Sequence, residues 1–381
     1  MKRVFPVLAI STFSAILGVG IISPLLPLYA DSLGASAIGL GVIFAGFSVS
    51  RALFMPVVGR MSDRKGRKLF ICTGLLAYAA MSLGYIWADT VAQLTLVRIL
   101  HGGASAMIIP VAQAYIGDLS PEGEEGKWQG YFNASFFTGF GFGPLLGGLL
   151  TDAYSWEAAF YAMGSLAGLA FLLALWRLPE VSPVREERGP GDKPSFWRMR
   201  ESGAMKGLVS YRFVYAVGRG AFSCFLPLYG ADKLGLSAGE IGIVISLHIL
   251  LMSFSQAIGG RLADAVSRKA LVVMGSLVSL AFLALVPFTD SLWQLLVLSA
   301  FGALGGTLAL PAASAMTVAQ GRTYGMGAAL GMFNMAMSVG MTVGPLLGGV
   351  IADAWDIDTV FYCGAGVGLG GTALFLWFTR R

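Results

Sequence analysis

Two side chains suited to handling protons stand three residues apart in a long apolar run: Arg98 and His101, between Val91 and Gly117. A spacing of three places them on one face of a helix. Arginine keeps its charge at any accessible pH, whereas imidazole gains and loses a proton near neutrality. A fixed cation beside a switchable group suits proton movement rather than covalent catalysis. His248, the other histidine, lies ten residues into a second apolar run, and Arg51, Arg212 and Arg219 are the further arginines inside such runs. Gln113, Asn133, Gln256 and Asn334 are the strongly polar neutral residues there, and all 21 acidic residues fall at or near the run ends. The expectation is an electropositive interior favouring an anionic, zwitterionic or neutral compound over a permanent cation. Buried arginines need partners. The substrate itself, backbone carbonyls, or tyrosines such as Tyr29, Tyr115 and Tyr229 are the expected ones.

Other chemistries find no support. Cys72, Cys224 and Cys363 lie singly in apolar runs, without CxxC spacing or a Cys/His cluster, so neither a metal site nor a disulfide framework is indicated. No nucleotide loop or nucleophile constellation occurs. The expectation is no enzyme, no catalytic residue, no metal and no cofactor.

The elements that position these groups are membrane spans. Of 381 residues, 56% are hydrophobic and only 12% charged, with a mean hydropathy of +0.73. Soluble domains average about 45–50% apolar and about 25% charged. About 20 apolar residues cross a bilayer, and twelve stretches qualify: 4–30, 37–61, 69–88, 91–117, 128–151, 158–178, 204–231, 238–263, 270–288, 292–318, 325–352 and 359–378. The first follows Met1-Lys2-Arg3, is longer than a signal peptide's apolar core, and reads as a span. Segment 179–203 holds Pro, Gly and most of the mid-chain charge, and reads as a linker between halves 1–178 and 204–381.

The net charge of +5 does not point to nucleic acid, because its distribution follows the membrane. With Gly59–Lys68 on the cytoplasmic side, the only Lys or Arg outside is Lys233, and Arg51, Arg98, Arg212 and Arg219 lie within spans. The other 21 of 26 fall inside, while acidic residues divide almost evenly. That is the positive-inside pattern. It predicts a multi-pass protein of a bacterial-type inner membrane with both termini cytoplasmic.

The chain is also a duplication. Gly143-Pro144-Leu145-Leu146-Gly147-Gly148 recurs as Gly344-Pro345-Leu346-Leu347-Gly348-Gly349. Phe132-Asn133 recurs as Phe333-Asn334 and Phe160-Tyr161 as Phe361-Tyr362, all at an offset of 201 residues. A degraded copy of Gly59–Lys68 stands at Gly260–Lys269. Parallel repeats put a substrate site between two halves that rock against each other.

Gly59-x-x-x-Asp63-Arg64-x-Gly66-Arg67-Lys68, Arg98-x-x-x-Gly102 and Gly139-x-x-x-Gly143-Pro144-x-x-Gly147-Gly148 resemble, respectively, the loop motif between spans two and three, the span-four arginine motif and the span-five motif of the major facilitator superfamily. The span-five motif is associated with its drug:proton antiporter branch. The resemblance covers essentially the whole chain. It implies two pseudo-symmetric six-helix bundles, alternating access, and an Asp63-centred latch on the cytoplasmic side in the outward-open state. Related exporters usually carry Gln where His101 stands, and often a carboxylate in span one, where this chain offers only Asp31 at the end. The second span-five copy, Gly340–Gly349, also fits a plain helix-packing device. In the basic stretch, Gly59 and Gly66 are read as permitting close approach and a tight turn. Pro144 is read as bending its helix.

These readings converge on an all-α membrane transporter. Proton-coupled efflux of a small amphipathic compound is the leading function, with the proton as coupling ion and a monomer as the working unit. Its partners are that small molecule and the bilayer. The rivals are an uptake symporter or facilitator for an organic anion, and a flippase for a lipid-linked substrate.

Overall fold

A computed structural model describes residues 4–121, 125–180, 199, 202–324 and 326–380. Among them are twelve α-helices: α1 Phe5–Ser32, α2 Ala37–Lys65, α3 Arg67–Ile86, α4 Val91–Leu119, α5 Glu125–Ala153, α6 Trp156–Arg177, α7 Gly203–Leu234, α8 Ala238–Ala265, α9 Arg268–Leu285, α10 Leu292–Tyr324, α11 Met326–Ala354 and α12 Ile357–Phe378. A 3₁₀ turn, Val286–Phe288, extends α9. Each predicted span coincides with one helix. Eleven helices are long and apolar enough to cross a membrane by composition alone. The twelfth, α7, carries Lys206, Arg212, Arg219, Asp232 and Lys233, which lower its hydropathy. Most of the predicted linker 179–203 lies outside the described residues.

Helix starts follow the sequence repeat. Ser36 Oγ accepts from Gly39 N, and Ser237 Oγ from Glu240 N. Thr90 accepts from Gln93 N as Ser291 does from Gln294 N, while Ser155 and Asp356 cap α6 and α12. An N-cap oxygen satisfies one of the donors a helix leaves orphaned at its first turn. Glu240 Oε2 accepts in return from Ser237 N, completing a capping box.

The chain divides into two compact units, residues 1–186 with 235–246, and residues 187–234 with 247–381. In the first, α1 packs on α5 and α6, α3 on α4 and α6, and α2 on α4. In the second, α7 packs on α11 and α12, and α9 on α10 and α12. The pairs made by α1 and α3 repeat with each helix six places on. Lipid supplies no hydrophobic drive between helices, so close backbone packing must hold them. The glycine motifs provide it. A Cβ on Gly143 would stand 2.5 Å from Gly20 Cα, and one on Gly139 2.8 Å from Phe13 O. In the second unit a Cβ on Gly344 or Gly340 would run into Val217 O or Phe213 O on α7. Both copies of the span-five motif therefore serve the same helix–helix contact.

The basic stretch departs from expectation. Gly59–Lys68 is not a turn. α2 stays helical to Lys65, and only Gly66, with φ of +91°, breaks the chain before α3. Arginine and lysine are good helix formers and suit a helix C-terminus, where the dipole is negative. Gly59 has nothing within 4 Å of where a Cβ would sit, so it does not serve close approach. Gly66 does what was expected: its φ is rarely adopted by L side chains, and a Cβ there would collide with the Glu180 carboxylate.

Candidate functional site

α4 places Arg98 and His101 against α2 and α3, inside the first unit. Arg98 is 6% exposed and His101 fully buried. The Tyr85 hydroxyl lies 2.9 Å from His101 Nδ1, and Arg98 reaches the same hydroxyl with one guanidinium nitrogen at 3.5 Å. The arginine can only donate, so it takes a lone pair of the tyrosine oxygen. Among the described residues Nδ1 is the one acceptor for the Tyr85 hydrogen. Neutral His101 therefore carries its proton on Nε2, a buried atom without a hydrogen-bond partner.

Aromatic rings supply the rest of Arg98's environment. Its guanidinium carbon stands 4.4 Å from the Phe47 ring centroid and 5.5 Å from that of Phe44. Such contacts are worth about 2 kcal/mol when desolvated. The His101 ring meets Tyr78 edge-on at 4.4 Å and Phe47 at 5.4 Å. Arg51 Nε, Tyr78 Oη, Arg98 Nε, His101 Nε2 and Ser105 Oγ are all buried without a hydrogen-bond partner. Arg51 and Arg98 have no carboxylate partner among the described residues.

The tyrosines expected to serve the arginines do not. Tyr29 Oη donates to Ala88 O, Tyr115 Oη to Pro179 O and Tyr229 Oη to Thr289 O. Each hydroxyl donates to a backbone carbonyl near a helix end, and none of the three bonds an arginine in the contacts described. Tyr85, a residue the apolar pattern did not single out, partners Arg98 instead.

In the second unit His248 Nδ1 is 3.0 Å from Ser299 O, and its ring stacks on Phe282 at 5.3 Å. Subtracting 201 takes His248 to Phe47 and Ser299 to Arg98. The two histidines thus lie in equivalent seams, α2–α4 and α8–α10, one in each sequence half. Arg212 stands over the Phe333 ring at 4.6 Å and donates to the Met337 sulfur at 2.8 Å. Arg219 is half-buried on α7, while Gln113, Asn133 and Asn334 are exposed on their helices.

At the other end of the first unit, buried Arg67 bonds Asp63 at 2.5 Å, Asp118 Oδ2 at 2.9 Å and Ser62 Oγ at 2.8 Å. This cluster ties the α2–α3 corner to the end of α4. Arg64 and Lys68 flank it, Arg64 exposed and Lys68 half-buried. In the second unit Arg268 meets Asp264 at 3.5 Å, but Ala319 stands where Asp118 does. Sequence spacing could not reveal Asp118, 51 residues from Arg67. Gly147 and Gly148 complete the span-five motif: a Cβ on either would collide with backbone, that of Ile21 or Ala238.

The family model described as Major Facilitator Superfamily matches residues 8–212 and again 208–381. The chain belongs to this superfamily. A superfamily relative, an uncharacterized MFS-type transporter of Methanocaldococcus jannaschii, is 30% identical over 94% of both chains. The quinolone resistance protein NorA of Staphylococcus aureus is 27% identical over 98% of this chain and 96% of its own. Among solved structures, a bacterial homolog of the human lysosomal transporter Spinster, crystallised inward-facing and unoccupied, gives a TM-score of 0.87 at 15% identity. That match covers 100% of this chain and 97% of the other. The chain is thus a membrane transporter of the superfamily, similar over its length to a quinolone resistance protein, and not an enzyme.

Proposed function

We propose that this protein is a proton-coupled exporter of small amphipathic organic compounds, working by alternating access as a monomer in a bacterial-type inner membrane, with both termini cytoplasmic. The observation that carries the reading is its full-length similarity to a quinolone resistance protein. The Lys/Arg distribution supports the orientation. Arg51 and Arg98, which have no carboxylate partner among the described residues, support an anionic, zwitterionic or neutral substrate.

The Tyr85 bridge supports proton coupling. A proton arriving at His101 Nδ1 turns that atom from acceptor to donor. The Tyr85 hydrogen must then turn away, in the direction of the Arg98 cation, and the three groups can no longer keep their arrangement. Buried polar groups are costly to leave unsatisfied, so protonation at this point biases the α2–α3–α4 packing toward another arrangement. The test is norfloxacin accumulation in inverted vesicles with an acid interior. Accumulation that collapses with the pH gradient is expected. Accumulation only with the opposite gradient, and of organic anions alone, would instead favour uptake symport. Movement of a lipid-linked substrate without norfloxacin transport would favour a flippase.

A further inference from the structure

The first unit contains a stretch from the other sequence half. Residues 235–246, which include the first turns of α8, pack with α1–α6, whereas α8 from Leu247 onward packs with the second unit. Asp152, at the end of α5, is what these first turns rest on. Its Oδ2 accepts from Ser237 Oγ at 2.7 Å and from Gly239 N at 2.9 Å. A carboxylate at a helix N-terminus meets both orphaned amides and a favourable dipole. Charge-assisted bonds of this kind are about twice as strong as neutral ones.

Deeper along the two helices the contact changes character. Ser246 Oγ accepts from Leu145 N at 2.9 Å, beside Pro144. Between these polar ends lie glycine contacts, Gly148 against Ala238 O and Gly242 against Pro144 O, while Ala238 also packs in an apolar cluster with Leu17, Ile21 and Leu25. No side chains interdigitate at those two points, so the helices can part without rotamer changes there. The polar bonds, above all those of Asp152, are the directional contacts that such a seam has to break. The same residue types recur 201 residues apart as Asp353 and Ser36, and Ser36 likewise caps its helix.

We propose that Asp152 is a positioning residue of the transport cycle: its carboxylate holds the start of α8 on α5, and this seam opens and closes as the protein alternates. The inference rests on the alternating-access reading above, but not on any particular substrate or coupling ion.

The test reads the seam directly. In full-length protein reconstituted in proteoliposomes, with Cys72, Cys224 and Cys363 replaced by alanine, Leu145→Cys places one thiol under the contact. A membrane-impermeant maleimide is added on the side where α5 ends. Slow labelling is expected in this parent, rising about tenfold with Asp152→Ala. Asp152→Asn, which keeps an acceptor oxygen, should stay closer to the parent. If Asp152→Ala aggregates, Ser237→Ala removes one of the two bonds and should give a smaller rise. Equal rates in the parent and the bond-removing variant, or no labelling in any variant, overturn the proposal. Because no substrate enters the measurement, its failure is separate from failure of the norfloxacin experiment.

Discussion

Tyr85 Oη stands 2.9 Å from His101 Nδ1 and within reach of Arg98, so a single hydroxyl joins the two groups expected to handle protons. The pair that shares a helix face in sequence is joined through a third residue on a neighbouring helix.

His101→Gln should shift the pH dependence of transport, because an amide cannot change protonation in the accessible range. Tyr85→Phe should lower transport at every pH, because it cuts Arg98 from His101 without removing either. Initial rates between pH 5.5 and 8.5 separate the two outcomes. An unaltered pH profile in His101→Gln would remove the histidine from the proton path and leave Arg98 to be tested by Arg98→Ala, which should abolish coupled transport.

Asp118→Asn should destabilise more than Asp63→Asn. The Asp118 side chain is 19% exposed against 56% for Asp63, and the more buried partner of a buried guanidinium is the costlier to neutralise. About 1–3 kcal/mol is expected for Asp118→Asn, read as a lower Tm in detergent. Asp63→Asn should instead slow turnover more than it weakens substrate binding, as a latch residue far from the substrate would. Unchanged turnover would leave Asp63 a topology or stability residue.

Glycine substitutions separate packing from gating. Gly143→Ala forces a methyl onto Gly20 Cα and should cost about 1–3 kcal/mol. Gly59→Ala meets open space in mid-helix and should gain up to about 1 kcal/mol. Thermal unfolding in detergent checks both. If Gly59→Ala keeps its stability yet loses transport, Gly59 acts in another state of the protein.

Arg219→Ala tests the charge preference. Matched anionic and quaternary ammonium amphiphiles should bind wild type in the order anion above cation, and the variant should lose that difference. Calorimetric titration in detergent reads both. Stronger binding of the cation to wild type would overturn the preference.

Much of the fold is legible in sequence because hydrocarbon leaves few choices. A run of about 20 apolar residues has to be a helix there, and the constant offset of 201 predicted which helices correspond. The cap at Ser237 and Glu240 is local, so spacing sufficed. The site was harder. Tyr85 and Tyr78 look like ordinary apolar-run aromatics, whereas Tyr29, Tyr115 and Tyr229, the expected partners, are anchored on carbonyls. Asp118 and Asp152 read as span-end carboxylates, because their partners are 51 and 85 residues away. The basic stretch misled for a different reason: charge excludes it from hydrocarbon, yet exclusion does not end a helix.

The backbone-on-backbone seam between α1 and α5 also limits how this protein can evolve. Gly20, Gly139, Gly143 and Gly147 admit no larger residue without moving a helix, so their side of the bundle has no neutral variants to explore. A randomised library selected for a new compound should return changes on the side-chain-lined walls and none at these four positions. The capacity to acquire new substrates is thus confined to one part of each bundle, while the rest is held invariant by geometry.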